Sequence, residues 1–288
     1  MELLNPSPSL CLPQAMWLVH QVIRAKPDLD QAEVLALVTP EAMRGRTPGE
    51  GAHVRRALTG LIEFRMVQEE EGLLRAGDLE SPGEFLRELR RRLVIPPEDM
   101  GNSYRGAPDL RSALVWLMRQ SPLEPLHYTI NVQTDMPSQL FTNDTRWNAF
   151  RWWSEALGFS QVALKSLDKS GGSMAKLIPN PTIAVIDAVA HPFGDPLPRG
   201  EPIPVDQFVE FLRRELPVLP GHPSATYEGL TNEGEVIIGA LGLALATAEQ
   251  RQILKMDYQS DPSSVLALPR GQRRGQARYV SNVTVKGG

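Results

Sequence analysis

The sequence is poor in the features that enzymes, secreted proteins and membrane proteins usually carry. A single cysteine, Cys11, stands among 288 residues, which leaves no internal disulfide to form. No CxxC pair and no clustered His/Cys spacing offers a structural zinc site. The histidines, His20, His53, His127, His191 and His222, lie far apart and never at HxH or HxxxH spacing. GxGxxG, GxxxxGK[ST] and GxSxG are all missing, and GGSMAK at Gly171–Lys176 lacks both the spacing and the final hydroxyl of a phosphate loop. The longest apolar runs, such as Val236 to Ala246, fall well short of a membrane span, and no basic stretch followed by an apolar core opens the chain. A basic excess is lacking too. The 30 Lys and Arg against 34 Asp and Glu give a formal charge of −4, so any nucleic-acid contact must come from local patches. These absences lead us to expect a protein of the reducing cytoplasm that has no catalytic residues, cofactor, metal or membrane attachment.

What is present is an ordinary globular composition, 42% hydrophobic and 22% charged, over a length that suits two or three small domains. Leu12 to Ala25 has Ala15, Leu18, Val19, Val22 and Ile23 at helical spacing, and Pro27 stops it. Asp30 is placed to cap a second helix through Val38. A third, Ala52 to Met66, carries the stripe Val54, Ala57, Leu58, Leu61, Ile62, and VQEEEGLLRA then reads as two short strands around a Glu-Gly turn. Three helices followed by a hairpin is the order of a winged helix-turn-helix.

The same order returns in the middle: EFLRELRRRL, PDLRSALVWLMRQS and a helix opened by Asp144 as its cap, then QVALKSL and MAKLIP flanking DKSGGS. TIAVIDAVA reads as helical, which makes Asp187 a helix-surface acid and not part of a nuclease centre. The last third offers VDQFVEFLRREL, NEGEVIIGALGLALATAEQ with capping-box character at Asn232 and Glu235, and the strand-like RQILKMDY, VLALP and ARYVSNVTVK. The expected fold class is therefore mainly α with short β-hairpins (α+β), built from tandem winged helix-turn-helix domains. Their expected bounds are 1–80, 81–190 and 205–288, with a proline-rich connector at 191–204.

In a winged helix the third helix enters the major groove and the wing meets backbone or minor groove, so charge on those two elements is the test. The first unit turns His53, Arg55, Arg56, Thr59 and Glu63 outward, but its wing is Glu69, Glu70, Glu71. It binds DNA by helix alone or binds a protein instead. In the central helix, placing Trp147, Phe150, Trp153, Ser154 and Leu157 inward turns Asn148, Arg151, Trp152 and Glu155 outward. Arg146, Asn148 and Arg151, with Lys165, Lys169 and Lys176 of the hairpin, are residue types that contact bases and phosphates. Asn232 to Gln250 contains no Lys or Arg and reads as a packing or dimerisation helix, whereas RGQRRGQAR supplies Arg270, Arg273 and Arg274 as a phosphate-binding arm or a solvated turn.

The N-terminal winged-helix order, NDTRWNAFRWWSEALGF, LIPNPTIAVIDAV at Leu177–Val189 and LPVLPGH at Leu216–His222 together resemble the DpdG-like proteins. Those are encoded in bacterial islands that insert 7-deazapurine bases into DNA and restrict foreign DNA. The resemblance implies an accessory subunit of an anti-phage defence or DNA-modification complex, one that contacts duplex DNA or recruits the other protein subunits of its system. A protein-interaction scaffold without DNA contact and a dimeric winged-helix transcription regulator are the alternatives.

Overall fold

The computed structural model describes residues 1–5, 7, 9–41, 51–101, 103–135, 140–163, 176–227, 230, 239–269 and 277–287. They form an α+β protein of short helices and small antiparallel sheets, arranged as two compact units. The first comprises Met1–Arg111 and Leu140–Leu157, and the second comprises Ser112–Gln139 and Gly158–Gly288.

The first unit opens with α1 (Pro13–Ala25), α2 (Gln31–Val38), α3 (Ala52–Glu63), β1 (Val67–Glu70) and β2 (Leu73–Ala76). Proline in the first turn starts α1, where its missing N–H costs nothing. A full capping box starts α2: the Asp30 carboxylate accepts from Glu33 N, and the Glu33 carboxylate accepts from Asp30 N. α1 packs against α3, and Met16, Val19 and Ile23 of α1 and Ala57, Leu58 and Leu61 of α3 are all essentially without solvent contact. β1 and β2 pair from Val67↔Ala76 to Glu70↔Leu73, and both residues of their turn, Glu71 (φ 55°) and Gly72 (φ 84°), have positive φ. That is the geometry of a two-residue hairpin turn. A second capping box, Ser81 with Glu84, starts α4 (Pro82–Val94). A 3₁₀ turn at Pro97–Met100 follows, and then α5 (Pro108–Leu117), whose first four residues belong to this unit.

The second unit takes up the rest of α5. A π-helical turn at Tyr128–Val132 then runs into α6 (Gln133–Asp135). The helix α7 (Asp144–Ala156) belongs to the first unit, and the chain returns to the second with β3 (Ser160–Val162) and β4 (Leu177–Pro179). These two strands pair, and Leu126 adds a bridge to Leu177. Next come α8 (Thr182–Ala190), β5 (Pro202–Pro204), α9 (Val205–Glu215), α10 (Gly239–Gln250), β6 (Leu254–Asp257), β7 (Leu266–Pro269), β8 (Ala277–Val280) and β9 (Asn282–Val285). β9 lies between β5 and β6 in one sheet, and β7 pairs with β8 in another. The buried Ala240, Leu241, Ala244, Leu245 and Ala248 of α10 pack mainly on α8 and the strands that follow, so the apolar side of this helix is covered within its own unit.

The structure departs from the sequence expectations in particular places. Asn143 caps α7, not Asp144: its extended backbone lets the side chain accept from Arg146 N at 2.9 Å, while Asp144 supplies the acid of the first turn. The end of the proline-rich run is an edge strand, where prolines lacking an N–H are tolerated. The sequence Asn232/Glu235 and the DKSGGS turn lie outside the described residues.

Candidate nucleic-acid interface

The helix α3 separates sharply into two sides. Ala57, Leu58 and Leu61 face the core, while His53, Arg55, Thr59 and Glu63 are exposed. Neighbouring arginines on it do different things. The Arg56 guanidinium donates to three backbone carbonyls of the N-terminal segment: Glu2 at 2.6 Å, Asn5 at 3.0 Å, and Ser7. Arg55 makes no side-chain hydrogen bond or ion pair among the described residues and projects into solvent. The His53 ring sits 2.9 Å from the Leu10 carbonyl, and the Thr59 hydroxyl donates to the Arg55 carbonyl.

The helix α7 buries one aromatic side. Trp147, Phe150, Trp153, Ser154 and Leu157 are all at most 1% exposed, and Trp153 Nε1 donates to the Cys11 carbonyl at 3.0 Å. Phe141, Trp147 and Phe150 form a ring cluster with centroids 5.0–5.7 Å apart. On the outer side Trp152 is 43% exposed. The polar residues of this helix are engaged within the protein. Arg146 pairs with the Glu2 carboxylate at 3.2 Å, and Arg151 donates to Asn148 Oδ1 at 3.2 Å. Partial burial lowers the Arg151 pKa from its ordinary value, with Glu155 opposing that shift, and the buried Nε has no hydrogen-bond partner among the described residues. Glu2 thus receives Arg56 of α3 at its carbonyl and Arg146 of α7 at its carboxylate. The half-buried Asp109 carboxylate holds the same segment by accepting from Leu3 N (3.1 Å) and Leu4 N (2.7 Å), and desolvation raises its pKa.

The β1–β2 hairpin exposes Glu69, Glu70 and Glu71. Gln31 donates to Glu69 at 3.0 Å, and Arg75 pairs with Asp28 at 3.3 Å and Glu70 at 3.7 Å, so part of this acidity is offset locally. Of the hairpin lysines, Lys176 is half-buried in the second unit, and its carbonyl accepts from Ala163 N. Lys165, Lys169, Arg270, Arg273 and Arg274 lie outside the described residues.

One basic feature escaped the sequence reading. A cleft of about 370 Å³ beside the hairpin is lined by Arg65, Arg75 and Arg92, with Glu88 opposing them. Arg65 takes positive φ (56°) at the end of α3, reaches Ser103 Oγ at 2.7 Å and lies over the Tyr104 ring at 5.4 Å. Arg92 bonds Glu88 and the carbonyls of Phe64 and Arg65. The signal was present in the arginine-rich α4, but nothing in the sequence brings α4 to the foot of the hairpin.

Among the described residues, no group of three or more His, Cys, Asp or Glu could hold a metal ion, and no helix is long and apolar enough to cross a membrane. Burial pushes the Cys11 thiol up to about 12, which keeps it protonated and unreactive. No curated protein and no solved structure matches the chain. A protein-family model does match, over residues 1–262, and by that match the chain belongs to the DpdG-like family, which suggests a role in a DNA-modification system.

Proposed function

We propose that this protein is a non-catalytic accessory subunit of a DNA-modification and anti-phage defence complex. It works in the cytoplasm, holding duplex DNA against α3 and recruiting partner proteins of its system. The first five elements act as a winged helix: α3 is the recognition helix and β1–β2 the wing. The observation that carries this reading is the two-sided α3, whose Arg55, His53 and Thr59 stand free of the core at the position where such a domain reads the groove. Arg75, exposed beside the hairpin and paired with the exposed carboxylates of Asp28 and Glu70, supplies a phosphate contact at its foot. Arg56 and Arg146 are reassigned to holding the N-terminal segment.

The test is salt-dependent binding of the full chain to a random-sequence duplex, compared with Arg55→Ala and with His53→Ala/Thr59→Ala. Loss of one phosphate contact lowers the slope of log affinity against log salt by about 0.9. If the wild-type slope survives in Arg55→Ala, α3 is not the contacting helix.

A second reading is a protein-binding scaffold without DNA contact, favoured by the exposed Glu69–Glu71 tip and by Trp152. Retention of a partner by Trp152→Ala and by the triple Glu→Gln variant of the tip would remove that reading.

A further inference from the structure

The second unit contains a cleft of about 650 Å³ between the solvent side of α9 and residues 264–266, the approach to β7. This is within the range of roughly 300–1,000 Å³ in which ligand sites fall. Its floor is apolar, with Val205 2% and Val209 6% exposed. On the opposite wall Val265 is 47% exposed, and Leu266 begins β7. One end is closed by the Ser264 hydroxyl, which donates to the Asp206 carboxylate at 2.8 Å.

Two further properties narrow what fits. β7 pairs with β8 alone among the described residues, so no described strand occupies its other edge. The cleft is also charged oppositely at its two ends. Asp206 stands in the first turn of α9 and Arg214 in its last, both exposed. Arg213, by contrast, is occupied by the Pro220 carbonyl (3.0 Å) and by Glu210 (3.8 Å). Arg214 makes no side-chain hydrogen bond or ion pair among the described residues.

We infer that this cleft binds an extended peptide segment of a partner protein, which adds as a strand to the free edge of β7 and lies along α9. Helix-and-edge-strand grooves bind in this way: main-chain hydrogen bonds supply affinity and pockets for alternate side chains supply specificity. The charges set the sequence of the guest. Asp206 and Arg214 are 214 − 206 = 8 residues apart on one helix, about 12 Å along its axis at 1.5 Å per residue. An extended chain covers about 13 Å in four residues, and residues four apart share one face of a strand. The preferred guest therefore carries a basic and an acidic residue four positions apart on the face toward α9, with the basic one at Asp206 and the acidic one at Arg214.

The test is selection of peptides of about ten residues, a typical strand length or longer, from a random displayed library on the immobilised full chain. The same selection is run on the charge-exchanged variant Asp206→Arg/Arg214→Glu, with its folding checked by circular dichroism. The expected wild-type consensus has opposite charges four apart, and the exchanged variant selects the reverse order. N-methylation at alternate backbone nitrogens of the selected peptide weakens binding at least about tenfold, because the strand pairing is lost. Asp206→Asn and Arg214→Gln serve as milder variants, each lowering affinity for the selected peptide. Failure to enrich any consensus, or an identical consensus from both proteins, overturns the proposal. So does self-association of the chain in sedimentation that the exchange abolishes, since the occupant is then a second copy. None of these outcomes depends on DNA binding by α3.

Discussion

Neighbouring arginines on α3 should behave in opposite ways. Arg56 gives three charge-assisted hydrogen bonds to the carbonyls of Glu2, Asn5 and Ser7, and the segment it holds carries Leu3 and Leu4, both fully buried. Bonds to a charged group contribute about 1.5–3 kcal/mol each when well shielded. Arg56 is only half-buried, so about 1 kcal/mol apiece is the more suitable figure, or about 3 kcal/mol for Arg56→Ala. At roughly 2–4 °C per kcal/mol this lowers Tm by about 6–12 °C. Arg55→Ala removes an exposed side chain with no partner among the described residues and should stay within about 0.5 kcal/mol of wild type. Thermal unfolding by circular dichroism gives the stabilities, and fluorescence anisotropy with a labelled duplex, well below each Tm, gives the binding. The expectation is a stable Arg55→Ala that binds DNA weakly and an unstable Arg56→Ala that binds nearly as wild type. Equal destabilisation by both changes, or a Tm shift below about 2 °C for Arg56→Ala, would refute the division of roles.

Other consequences can be checked separately. Gly158 has φ +79°, and a Cβ placed there would lie 2.9 Å from Ile183 Cβ and 3.0 Å from the Ala184 backbone nitrogen. Gly158→Ala should therefore cost about 2–4 kcal/mol in urea unfolding, combining left-handed strain with overpacking, and a cost below about 1 kcal/mol would contradict that geometry. His20 is fully buried beside Trp17 and Phe85, and burial, with Arg24 adding to the effect, lowers its pKa from 6.5 to about 4. A depressed histidine pKa means that the unfolded chain takes up the proton first. Its contribution is therefore fully present above pH 6.5, shrinks as pH falls, and is lost by pH 4, by a total of about 3 kcal/mol. His20→Leu should flatten that part of the Tm-versus-pH curve, and an unchanged slope would assign the acid sensitivity elsewhere. Trp153→Phe leaves the Cys11 carbonyl without its donor and should cost about 1–3 kcal/mol with no change in DNA affinity, measured by the same two assays.

The parts of this molecule that were legible in its sequence depend on local rules. Helical spacing alone sorted Trp147 and Trp153 inward and Trp152 outward, and the Glu-Gly pair marked the β1–β2 turn. Long-range partners were not legible. Arg56 and Arg146 look like phosphate ligands until Glu2, Asn5 and Ser7 are brought to Arg56 and Glu2 to Arg146, contacts some fifty residues away for Arg56 and 144 for Arg146. β6 was readable as a strand, but its pairing with β9 rather than its neighbour β7 depends on tertiary packing that no window of sequence contains. The two prolines of β5 hid an edge strand, since proline argues against a strand everywhere except at an edge.

The central claim, that α3 holds duplex DNA, is tested most directly by titrating a fluorescein-labelled random-sequence duplex with the full chain at about 50 and about 200 mM salt. The account predicts micromolar or tighter binding at the lower salt, a steep loss at the higher, and a shallower slope for Arg55→Ala. No binding at the lower salt, or an affinity indifferent to both salt and Arg55, would contradict it.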